Sequence, residues 1–95
     1  MAHVYIIFSQ KLNRFYTGSC DKIEQRLSDH LNKVFTNSYT SKADDWELYF
    51  TINDLEYCTA RKIENHIKSM RSKKYIQNLR SYPEITKKLI SKFST

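Results

Sequence analysis

The sequence predicts a small α/β domain of the α+β kind. It has a three-stranded, largely antiparallel sheet flanked by helices, in the order β-β-α-β-α-α-α. Three observations lead there. Val4-Tyr5-Ile6-Ile7-Phe8 is apolar at every position, as a strand buried on both faces must be. Phe15-Tyr16-Thr17 is β-prone and near enough in sequence to pair back on it as a hairpin. Later apolar residues recur at helical spacing, without the regular strand–helix alternation of a parallel sheet.

Each element follows from local chemistry. Ser9 to Arg14 is a polar connection containing Asn13, and the second strand is expected to end at Gly18, the only glycine. Asp21 with Glu24 resembles a capping box opening a helix, and Ile23, Leu27, Leu31 and Val34 form its buried stripe. Residues 35–45 read as a polar loop. Trp46 to Ile52 alternates, which predicts a half-buried strand with Trp46, Leu48, Phe50 and Ile52 in the core, broken by Asn53-Asp54. A helix from about Thr59 to Arg71 carries Ala60, Ile63, Ile67 and Met70 on one face, and Ser72 interrupts it. Tyr75, Ile76 and Leu79 mark a short third helix. Ser81 and Glu84 resemble a second capping box, Pro83 fits the first turn, and Ile85, Leu89 and Phe93 line the last helix.

The chain has 95 residues, the size of one domain, with a core expected at about 3–80 and a helical tail at about 81–93. No apolar run approaches the ~20 residues of a membrane span, and no signal peptide is visible, so a cytoplasmic address and no membrane partner are expected. Cys20 and Cys58 form no metal-like pair and read as packing residues. The net charge of +6 is uneven: residues 1–56 carry six Lys/Arg against eight Asp/Glu, and residues 57–95 carry ten against two. A basic half suits a polyanion, most often nucleic acid, although a solvated lysine-rich surface has the same composition.

The chemistry-bearing residues cluster in sequence around the hairpin and two helices. Tyr5 and Tyr16 lie on the two predicted strands, eleven residues apart, and Gly18 follows. Arg26 and His30 are one helical turn apart. Glu64 sits at the margin of an apolar helical face. By itself it would pair with Lys68 at i, i+4, which is worth ~0.3–0.5 kcal/mol. Lys68, Arg71, Lys73 and Lys74 suit a phosphate backbone or a solubilising face equally.

Together these residues resemble the GIY-YIG nuclease superfamily, in its small stand-alone form similar to the N-terminal domain of a DNA-repair excinuclease subunit. His3-Val4-Tyr5 stands where the family has Gly-Ile-Tyr, and Tyr16-Thr17-Gly18 where it has Tyr-Ile-Gly. Arg26 and His30 match the family's arginine and frequent histidine, and Glu64 its acidic metal ligand. The likeness covers roughly residues 3–80. His3 and Thr17 depart from the motifs, and Ser19 replaces a lysine of the excinuclease members.

The resemblance implies an endonuclease acting on DNA through one Mg²⁺ or Mn²⁺ held by Glu64, a hard ion that prefers oxygen and keeps several waters. Arg26 would clamp the phosphate, Tyr5 first and Tyr16 second would be the base, and His30 would assist it. Branched or single-stranded DNA and a protein partner supplying specificity are compatible with so small a chain. The other reading is a non-catalytic nucleic-acid-binding module, or a subunit of a larger nuclease.

Overall fold

The computed structural model describes residues 1–21 and 45–94. Within them are three strands, β1 (Ala2–Ser9), β2 (Arg14–Cys20) and β3 (Glu47–Leu55), and three helices, α1 (Tyr57–Met70), α2 (Lys73–Ser81) and α3 (Pro83–Phe93). The strands form one antiparallel sheet in the order β2-β1-β3. The α+β class is as the sequence predicts. The helix expected from Ile23 to Val34 lies outside the described residues.

β1 is central because it alone is apolar on both faces. Val4 and Ile6 join Ile52, Ala60, Ile63, Ile67 and Leu79 in the main core under the helices. Tyr5 and Ile7 turn the other way and meet Cys20 and Trp46 in a second, smaller cluster, with Tyr16 against it. The β1–β2 turn closes with the Asn13 N–H donating to the Gln10 carbonyl at 3.2 Å, and Asn13 takes φ 51°, a left-handed conformation that asparagine tolerates.

Several elements differ from expectation, each for a physical reason. Gly18 does not end β2; it lies inside the strand opposite Tyr5. Asn53-Asp54 does not break β3. Between Val4 and Ala2 the pairing moves from Ile52 to Leu55, so β3 bulges by one residue. Asp54 absorbs the bulge at φ 60°, and its N–H donates to His3 Nδ1 at 3.3 Å. A second irregularity between Ile6 and Ile7 passes from Phe50 to Leu48 and interrupts the alternation there. Trp46 and Ile52 therefore belong to different clusters, and Leu48 is exposed instead of buried.

The helices cover one face. Ala60, Ile63 and Ile67 of α1 are buried as read, while Met70 is exposed. Ser72 is the N-cap of α2, its Oγ accepting from the Tyr75 N–H at 3.1 Å. The Ser81–Glu84 capping box does not form: Ser81 closes α2, and Tyr82 is the N-cap of α3 ahead of Pro83, with no side-chain hydrogen bond to the cap. His66 ties the three helices together, its ring centroid 5.9 Å from Tyr75 and 5.5 Å from Phe93. Burial at this junction raises the Tyr75 hydroxyl above its ordinary pKa. Cys20 is buried as expected, but Cys58 is exposed on the first turn of α1 and fills no core position. None of the described helices is long and apolar enough to cross a membrane.

Candidate active site

The β2 edge of the sheet brings Tyr16, Glu64 and Lys68 together, with Tyr5 behind Tyr16 on the central strand. Tyr5 and Tyr16 are diagonal neighbours across β1 and β2, their ring centroids 6.5 Å apart at 39°. Tyr5 is almost fully buried, whereas Tyr16 is half-buried. Gly18 pairs with Tyr5, and a Cβ on it would stand 2.6 Å from Tyr5 Cζ and 2.9 Å from Cε1. The glycine is required by the phenol ring that lies over it, not by a turn or a positive φ.

Glu64 reaches this edge from α1. Its Oε1 accepts from Ser19 Oγ of β2 at 2.5 Å, and its Oε2 pairs with Lys68 Nζ at 2.8 Å. Alternation along β2 sends Ser19 to the helical face and Tyr16 to the opposite one. Lys68 spans the two, because its ammonium also lies 5.5 Å from the Tyr16 ring centroid. A carboxylate, a hydroxyl, an ammonium and the Tyr16 phenol thus meet where the two faces join at β2.

The ion pair expected from helical spacing is present, but it is part of a larger arrangement. The Glu64 side chain is 14% exposed, held against β2 by a residue 45 positions away. Ser19, noted in the sequence only as the replacement for a lysine, is the contact that fixes Glu64. Its partner lies on another element, and no local spacing signals that. Lys68 brings an amine to Tyr16 from the helix.

Of the basic residues read as phosphate contacts, Lys68, Arg71 and Lys73 line a groove of about 430 Å³ together with Arg14 and Tyr16. Lys74 is exposed and is not among the groove's lining residues. Arg26 and His30 lie outside the described residues.

Glu64 is the hard oxygen donor at this edge that could hold a divalent ion. Among the described residues no three His, Cys, Asp or Glu are grouped to hold a metal. Glu64 offers one hard carboxylate at a half-exposed edge, and ions of this type are commonly held by one or two carboxylates with waters completing the shell. The occupant of one oxygen, Lys68, is itself half-exposed on a flexible stem and can swing away.

This is a small α+β domain whose sheet edge joins tyrosines to a carboxylate and cations. The family model for the GIY-YIG catalytic domain matches residues 1–79, and the chain belongs to that family of nucleases. No curated protein and no solved structure matches it.

Proposed function

We propose that this chain is a divalent-metal-dependent endonuclease that hydrolyses phosphodiester bonds in DNA. The observation that carries the reading is the linkage of Glu64 to Tyr16 through Lys68, at the half-exposed edge where β2 meets α1. Glu64 would hold one Mg²⁺ or Mn²⁺. When bound, the ion neutralises phosphate charge and stabilises the leaving oxygen.

The chain's own residues have separable tasks. In this reading Tyr16 takes the proton from water, supported by its being the more exposed of the two phenols, with Tyr5 the other candidate base. Tyr5 backs it, and Gly18 gives Tyr5 its room. Ser19 orients the carboxylate of Glu64. Arg26 would clamp the non-bridging oxygens and His30 would position the base or the water, roles that the resemblance to the family's arginine and histidine implies.

The test is cleavage of single-stranded, duplex, flapped and branched DNA with Mg²⁺ or Mn²⁺, run beside Glu64→Ala. Cutting by the parent and background from the variant is the expected result. Equal cutting by both overturns the site. The second reading, a non-catalytic nucleic-acid-binding module, draws on one observation: both oxygens of Glu64 already have partners within the chain. Salt-sensitive binding by the parent with no cleavage under either metal would favour it.

A further inference from the structure

We propose that the groove beside Tyr16 is a subsite for an unpaired nucleotide, and that the substrate is single-stranded or flapped at the position flanking the scissile phosphate. The location next to the scissile bond rests on the nuclease reading; the binding itself does not.

The groove runs between the edge strand β2 and the α1–α2 junction and encloses about 430 Å³. That is the size of a pocket for one small ligand. Its walls are of two kinds. Phe15, Tyr16 and the aliphatic side chains of α1 and α2 give it an apolar surface, and Arg14, Lys68, Arg71 and Lys73 bring cations to it. Among the described residues, no Asp or Glu lines it. The charge selects a polyanion, and the apolar surface selects the form of that polyanion. In a duplex the base faces are hidden in the stack, and only phosphates, sugars and groove edges are on offer. An apolar, aromatic wall beside cations finds its complement in an unpaired base with its phosphates. Tyr16 and Lys68 belong both to this groove and to the catalytic edge, so the nucleotide held here adjoins the reacting phosphate.

Arg71 supplies an independent argument. It closes α1 with φ 49° and ψ 40°, a left-handed position at which helices most often place glycine. An arginine keeps a strained backbone there, and its side chain lines the groove. A purely structural role predicts glycine; a phosphate contact predicts a cation.

The experiment measures fluorescence polarisation of a labelled single-stranded oligothymidine and of a duplex of equal length, in EDTA, across a salt series. The parent should bind the single strand more tightly. Arg71→Gly should retain or raise the thermal midpoint, yet lower the slope of log K against log salt by ~0.7, the value of one single-strand phosphate contact. Lys73→Gln should lower it by a similar ~0.7. Unchanged slopes in both folded variants, or tighter binding of the duplex, overturn the proposal. Because EDTA removes any need for metal, the two readings fail separately. Binding with these slopes but no cleavage leaves the groove standing and removes the nuclease. Cleavage with unchanged slopes does the reverse.

Discussion

The ring of Tyr5 lies directly on the backbone of Gly18, so close that a single added methyl would stand 2.6 Å from Tyr5 Cζ. The two residues are partners across the β1–β2 ladder, and Tyr5 is buried against Ile7, Cys20 and Trp46. The ring has little room to retreat, so glycine at this position shapes the site by yielding space.

Gly18→Ala should therefore destabilise the fold by about 1–3 kcal/mol, the range for overpacking a well-filled interior. Urea denaturation of the single variants and of Gly18→Ala combined with Tyr5→Ala measures it. Tyr5→Ala removes the obstructing ring, so alanine at 18 should be far better tolerated in that background, giving a coupling of at least ~0.5 kcal/mol. Additive losses would show that Tyr5 is not what excludes the side chain.

Lys68 occupies Glu64 Oε2 and stands beside Tyr16. If Glu64 holds a divalent ion, the ammonium competes for the carboxylate. Lys68→Gln should then tighten Mn²⁺ binding in the absence of nucleic acid by about 1.4- to fivefold, matching the ~0.2–1 kcal/mol of a surface ion pair. Glu64→Gln should lose the binding. Electron paramagnetic resonance of free Mn²⁺ reads both variants directly. Unchanged affinity in Lys68→Gln with loss in Glu64→Gln would mean that Lys68 does not compete.

Much of this architecture was legible locally. β1 announced itself because apolar residues at every position leave no wet face. α1 and α2 followed from their stripes, and the Glu64–Lys68 pair from helical spacing. What escaped depends on register and long-range contact. The irregularities that carry β3 past Asn53-Asp54 and turn Leu48 to solvent exist only relative to β1. The bond from Ser19 to Glu64 joins residues brought together by the fold alone. The likeness to the family supplied Glu64, Tyr5 and Tyr16 as candidates; the geometry added the contact of Ser19 with Glu64 and shows Tyr16 as the more accessible phenol.

Asp45 gives the fold a dependence on pH. Its Oδ1 accepts from Ser9 Oγ at 2.6 Å and its Oδ2 from the Lys11 N–H at 3.0 Å, and Ser9 Oγ in turn accepts from the Leu12 N–H at 3.2 Å. The carboxylate thereby ties the β1–β2 turn to the residue just ahead of Trp46. The Ser9 hydroxyl, and after it the Lys11 N–H, hold the Asp45 carboxyl below its ordinary pKa, because both donate to the charged form. The sign follows by linkage. Below the ordinary value of ~3.9 the unfolded chain binds the proton first, so the stabilisation is present above that value and is lost as pH falls through the lower, folded one. Asp45→Asn removes the titration together with the acceptor for the Lys11 N–H. The variant should be less stable than the parent at neutral pH, and the gap should close as the solution is acidified below about pH 4. Urea midpoints taken at several pH values follow this convergence. A gap that stays constant into acid would show that Asp45 stabilises the turn independently of its charge.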